Sequence, residues 1–176
     1  MLFRSEFFID EIWAVDISSA YATMLFNAGY ISEKTFTFIQ KLPKLERLAS
    51  IGMLARNKKE FIFNEQGELD EVKEIVSPLE NYFYFAVQET ARVMSEAKNI
   101  AFSDDMNEYL FTWVDCIYFR SSERIKPITD FFDSINIKYK ISKYSQFLVQ
   151  RKKKHFSVTF FDEKEKKKIF SVPLPS

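Results

Sequence analysis

Two carboxylates stand where the sequence around them is apolar. Asp16 lies near the end of the run Phe7-Phe-Ile-Asp-Glu-Ile-Trp-Ala-Val-Asp-Ile17, and Asp115 interrupts Glu108-Tyr-Leu-Phe-Thr-Trp-Val-Asp-Cys-Ile-Tyr-Phe-Arg120. An uncompensated carboxylate buried in such surroundings would cost several kcal/mol. Each therefore calls for a solvent-exposed strand end, a lysine or arginine partner, or a bound divalent cation. Two carboxylates from adjacent strand ends suit Mg²⁺, with waters and phosphate oxygens completing its octahedron. Other chemistries drop out on counting. Cys116 is the only cysteine and His155 the only histidine, which excludes an intramolecular disulfide, a multi-thiolate zinc site and an HExxH motif. Glycine occurs only at 29, 52 and 67, so neither a P-loop nor a GxGxxG loop can be written. Zinc and an organic cofactor are not expected. Cys116 itself reads as a small packing residue, because the lone histidine is distant in sequence and sits in a basic turn.

The elements that must position the two acids are legible in the pattern. Residues 7–17, rich in β-branched and aromatic side chains, predict a buried strand. Ser18 and Ser19 offer a cap to a short helix, Ala20 to Ala28, that Gly29 can close. Helical spacing continues over 32–42 and 44–56, broken at Pro43. Lys58–Phe63 and the turn Asn64-Glu-Gln-Gly67 predict half of a hairpin. Ser77-Pro78-Leu79-Glu80 spells a capping box opening a long helix whose face carries Leu79, Phe83, Ala86, Thr90, Val93 and Ala97. Residues 108–120 predict two strands or one bent strand, 122–136 an amphipathic helix, and 137–172 short strands joined by basic turns. Glu89 and Arg92 on the long helix read as a solvated or ion-paired face.

Composition supplies the core and the partners. The 176 residues are 47% hydrophobic and include 20 Phe, 8 Tyr and 2 Trp, enough to fill the interior of one domain. The net charge of zero divides unevenly: residues 1–115 carry 11 basic and 19 acidic side chains, and 116–176 carry 14 and 6. That asymmetry points to an anionic partner for the second part, such as nucleic acid, or to solvated loop charge. Glu6, Asp10 and Glu11 interrupt the apolar N-terminal run, so no signal peptide is expected. No stretch of roughly 18 uncharged apolar residues occurs; a soluble, cytoplasmic chain with no membrane partner is the expectation.

Asp16-Ile-Ser-Ser-Ala-Tyr21-Ala-Thr resembles the D-x-x-S-L-Y-P-S segment, motif A, of family B DNA polymerases, keeping Asp16, Ser19 and Tyr21. Trp113-Val-Asp115-Cys-Ile-Tyr-Phe119 resembles motif C of that family, D-T-D-S-x-x-F, with Asp115 at the second aspartate and Trp113 in place of the first. Residues 78–100, reading Phe85-Ala-Val-Gln-Glu-Thr-Ala-Arg92 within, are similar to the palm helix that precedes the catalytic hairpin. Arg151-Lys-Lys-Lys-His-Phe156 is similar to the lysine-aromatic motif that contacts the primer backbone. Together these make roughly residues 7–160 resemble a polymerase palm.

The resemblance implies an α+β fold, an antiparallel sheet with helices packed on one face, and a single palm-like domain over 1–176. Within it, 1–31 would form the motif A strand and helix, 32–57 a short fingers stub, 58–121 the palm helix and motif C hairpin, and 122–176 a basic extension. It implies Asp16 and Asp115 as catalytic residues and, with the backbone carbonyl of Ile17, as ligands of two Mg²⁺ or Mn²⁺ ions about 3.5–4 Å apart. One ion would activate the primer 3′-hydroxyl and the other neutralise the leaving pyrophosphate. Ser19 and Tyr21 would bind the nucleotide, Tyr21 lying under the sugar. Arg151, Lys152, Lys153 and Lys154 would bind nucleic acid through its phosphates.

Several parts of the family pattern are missing. The segment closest to motif B, K-x-x-x-N-S-x-Y-G, is Lys44-Leu-Glu-Arg-Leu-Ala49-Ser50-Ile-Gly52, in which Ser50 fits but Ala49 and Gly52 replace Asn and Tyr. Fingers are reduced to a stub, and there is no room for a thumb or an exonuclease. The groups that grip a triphosphate, usually the largest electrostatic contribution to such a reaction, are lost with them. Two readings follow. One is a reduced palm that binds DNA, as primer-template or single strand, and carries out two-metal nucleotidyl transfer, with a partner protein supplying fingers or thumb. The other is a non-catalytic interaction module within a replication, phage or mobile-element assembly. A more remote third is another palm-like nucleotidyl transferase or cyclase with similar acids.

Overall fold

The computed structural model describes residues 7–152, 155–162 and 167–173. The chain folds as α+β, with antiparallel strands throughout, and divides into two compact units: Met1–Ser18 with Val93–Ser176, and Ser19–Arg92.

The first unit holds two four-stranded sheets. The predicted N-terminal strand is two strands, β1 (Phe7–Ile9) and β2 (Ile12–Ile17), because the exposed pair Asp10-Glu11 marks where the chain leaves one sheet for the other. Strand β2 lies between β6 (Cys116–Phe119) and β7 (Tyr139–Tyr144), and β5 (Tyr109–Trp113) closes the order β5-β6-β2-β7. The second sheet runs β1-β8-β9-β10, with β8 at Gln146–Arg151, β9 at His155–Phe161 and β10 at Lys167–Pro173. Cross-strand partners share a face. One face of the β2 sheet carries Ile12, Ala14, Cys116 and Tyr118, which form one core with Phe147, Val149, Phe156, Val158 and Phe160 of the second sheet. The opposite face carries Val15, Ile117 and Phe119, and helix α5 (Ile125–Ser134) packs against β2 and β7. Phe102, the last residue of helix α4 (Glu80–Phe102), stands 5.8 Å from the Phe119 ring.

The second unit is helical apart from one hairpin. Helices α1 (Ala20–Asn27), α2 (Glu33–Lys41) and α3 (Lys44–Gly52) precede β3 (Lys58–Phe63) and β4 (Leu69–Ile75), after which the first turns of α4 return to the core. Gly29, at φ +75°, ends α1 as foreseen: its N–H donates to Phe26 O at 2.9 Å and that of Tyr30 to Leu25 O at 2.9 Å, a Schellman closure. The capping box takes a different form. Ser77 Oγ accepts from Leu79 N at 3.2 Å and spends its proton on Leu54 O at 2.6 Å, so α4 begins at Glu80 after a turn.

Candidate functional site

The motif A-like segment starts at the end of strand β2 and runs into α1, the motif C-like segment is the β5–β6 hairpin, and the sheet order makes β2 and β6 hydrogen-bonded neighbours. Asp16 is the cross-strand partner of Cys116, the residue after Asp115, and the Ile17 N–H donates to the Asp115 carbonyl at 2.9 Å. Two acids ninety-nine positions apart in sequence are thus carried on backbones one hydrogen bond apart, at the same end of one sheet. On the other side of β2, Asp16 is registered with Lys140, Ile17 with Tyr139, and the Ser18 N–H donates to Lys138 O at 2.8 Å.

The hairpin that presents Asp115 is tight. Trp113 pairs with Cys116, leaving Val114 and Asp115 as a two-residue loop. Val114 holds φ +56°, where its branched Cβ is crowded and glycine would normally stand. Ser19, three residues after Asp16, also holds a positive φ, +54°. The third non-glycine residue of this kind among those described is Asn136, a type that tolerates the conformation. Strain of order 1–3 kcal/mol per residue persists where surrounding structure enforces it. Val114 is next to Asp115 in sequence, and Ser19 is three residues from Asp16.

Electrostatics around Asp16 follow from the face it shares. Burial pushes the Tyr118 hydroxyl far above its ordinary pKa, and the neighbouring Cys116 thiol and the Asp16 carboxylate push in the same direction. Tyr144 is raised for similar reasons, burial first, then Cys116, with Asp16 and Asp162 adding. Both phenols are neutral at physiological pH and are set beside a half-buried carboxylate. Sequence reasoning passed over these tyrosines; the signal for Tyr118 was its place two residues beyond Cys116, on the same side of a strand.

The remaining candidates are placed as follows. Ser19 caps no helical N–H; its Oγ accepts from Arg47 Nη1 at 3.1 Å, a partner nothing in the sequence indicated. Tyr21 is half-buried in the second unit, edge-on to Phe83 with ring centroids 6.3 Å apart. Arg151 is exposed at the end of β8, and the Lys152 N–H donates to His155 O at 2.8 Å. Lys153 and Lys154 lie outside the described residues. Cys116 is buried, in keeping with a packing role.

The donor set of Asp16, Asp115 and the Ile17 carbonyl is all hard oxygen, the chemistry that Mg²⁺ or Mn²⁺ takes. Among the described residues no group of three or more His, Cys, Asp and Glu side chains gathers into a metal cage. A cation held by the acid pair would therefore complete its shell with water and phosphate. No described helix is long and apolar enough to cross a membrane. Neither a scan of protein-family models nor a search of curated proteins finds a match to this chain.

Proposed function

We propose that the chain is a reduced relative of the family B polymerase palm that binds nucleic acid and uses Asp16 and Asp115 in two-metal nucleotidyl transfer. The observation that carries this reading is the adjacency of β2 and β6, with Asp16 registered on Cys116 and the Ile17 N–H on the Asp115 carbonyl. A central strand ending in one acid beside a hairpin whose turn holds the other is what the two motifs require of each other. A divalent cation there would supply charge neutralisation at the transferred phosphoryl group. The protein's own part is to hold the two carboxylates at the rim of the sheet and to bind phosphates on Arg151 and Lys152. Those contacts give affinity without sequence preference.

One observation favours the second reading, a non-catalytic module. The face of the sheet that carries Asp16 is covered along most of its length by Phe147 and Phe160 of the other sheet, which confines an approaching strand to the rim.

Calorimetric titration with Mn²⁺, combined with single-stranded DNA binding over a range of salt concentrations, separates the two. Wild type is expected to bind Mn²⁺, with Asp16→Asn and Asp115→Asn each losing at least about tenfold in affinity, and to extend a primer. Arg151→Ala with Lys152→Ala is expected to lower the slope of log K against log salt by nearly two phosphates' worth, about 0.7–0.9 each. DNA binding without Mn²⁺ heat or extension selects the module. Absence of both discards the polymerase reading.

A further inference from the structure

The second unit has an internal charge division unrelated to the acid pair. Residues 34–59 hold seven basic side chains and one acidic, and 60–80 hold seven acidic and one basic. The basic segment is α2, α3 and the entry to β3; the acidic segment is the rest of the hairpin and the start of α4. Each also presents apolar surface. On α3, Leu45, Leu48 and Ala49 are exposed at helical spacing, and Leu45 is 80% exposed. On the hairpin, the cross-strand pairs Phe61–Val72 and Phe63–Leu69 share one face, and all four are exposed.

Strands β3 and β4 pair only with each other among the described residues, so both hairpin edges and the apolar face are open. A two-stranded ribbon of this kind is at best marginally stable alone, and an open apolar strand edge invites pairing. A partner of one charge sign would match only half of this surface. A second copy of the chain matches both halves at once, because a two-fold axis sets each hairpin on the other copy's helices.

We infer that residues 19–92 form a reciprocal dimer interface in which the β3–β4 hairpin of one copy lies on α2 and α3 of the other. Phe61, Phe63, Leu69 and Val72 cover Leu45 and Leu48, while Asp70 and Glu74 face Lys41 and Lys44. Apolar area supplies the affinity, and the charge pairs fix register and exclude the parallel arrangement.

The test is sedimentation of the full chain from micromolar to hundreds of micromolar. Wild type is expected at twice the 20.9 kDa chain mass. Lys41→Glu with Lys44→Glu, and separately Asp70→Lys with Glu74→Lys, are each expected to weaken the dimer at least tenfold, since both make hairpin and helices repel. Mixing the two variants restores opposite charges at both contacts and is expected to restore the dimer. Circular dichroism of each variant checks folding. A monomeric wild type overturns the proposal and gives the surface to another partner. A dimer that survives both reversals, or variants that fail to complement on mixing, overturns the reciprocal arrangement.

Discussion

The two units bury their apolar residues very differently. Of the thirty buried hydrophobic residues among those described, the first unit holds twenty-three, including eight aromatics; the second holds seven, none aromatic. Of the twenty-one large exposed hydrophobics, fourteen belong to the second unit, although it is the shorter. The first unit, two sheets with helices on one of them, is a finished core that can hold two acids at a sheet end. The second has the composition of a core and the exposure of an interface. Aromatic content alone would have assigned both the same role.

Truncating the cores is the strongest way to break that comparison. Phe160 is fully buried and its ring lies 4.9 Å from Tyr118 and 5.0 Å from Phe147, at the junction of the two sheets. Phe160→Ala is expected to cost about 3–5 kcal/mol. In the second unit, Leu25→Ala removes a buried residue of the small cluster with Ala22, Ile39, Ile51 and Ala86, and is expected at the lower end of about 2–5 kcal/mol, where the site can collapse. Denaturant unfolding followed by the fluorescence of Trp13 and Trp113, which reports the first unit, alongside far-UV circular dichroism, weighted to the helices, measures both. Equal costs at the two sites would mean that the second unit is as well packed as the first.

How much of this was legible in the sequence depends on distance along the chain. The α1 stop at Gly29, the break at Pro43 and the hairpin at Lys58 are written within a few residues, and each is observed; 108–120, which the pattern left as two strands or one bent strand, is two strands turning at Val114-Asp115. The end of β1 was missed because Asp10-Glu11 is too short a polar interruption to tell a change of sheet from an exposed edge. The second sheet was missed for a different reason: the alternation in 137–172 gives strands but not which face each buries or whom it pairs. Asp16 and Asp115 were legible as misfits, polar residues in apolar strands. Their adjacency was expected from the motif resemblance and not from the strands themselves, since register between β2 and β6 is settled by packing on both faces. Arg47 on Ser19 belongs to the same class, a long-range hydrogen bond without local signal.

Relieving the hairpin turn sharpens the comparison further. Val114 carries a branched side chain at φ +56° beside Asp115. Val114→Gly removes the crowding but enlarges the freedom of the unfolded chain, which by itself costs about 0.4–1 kcal/mol. Strain of order 1–3 kcal/mol exceeds that, so the net expectation is a gain of about 1 kcal/mol in the first unit and none in the second. If the strain also holds Asp115 in place for a cation, the glycine variant is more stable yet binds Mn²⁺ more weakly. A variant that gains stability with unchanged Mn²⁺ affinity would leave the turn as a folding feature only.

The smallest expected effect is in acid, where each unit has a carboxylate that an arginine holds down, exposed Asp104 in the first and half-buried Glu89 in the second. In the first unit, Arg124 Nη1 donates to Asp104 at 2.6 Å and to the Ala101 carbonyl at 3.0 Å, tying the C-terminus of α4, and the hydrogen bond lowers the Asp104 pKa. In the second, Arg92 donates through Nε and Nη2 to Glu89, whose pKa is lowered chiefly by that hydrogen bond. Both folded-state values lie below the unfolded ones, about 3.9 for Asp and 4.3 for Glu. Their contributions are therefore fully present above those values and are lost as pH falls through the lower folded-state values. NMR titration of the two carboxyls is expected to give midpoints below the ordinary range, with Asp104→Asn and Glu89→Gln each flattening the acid limb of its own unit. The Asp104 effect should be the easier to see: Arg124 is 16% exposed and braced against the Phe102 ring, whereas Arg92 is 58% exposed and gives up part of its pairing to water and salt.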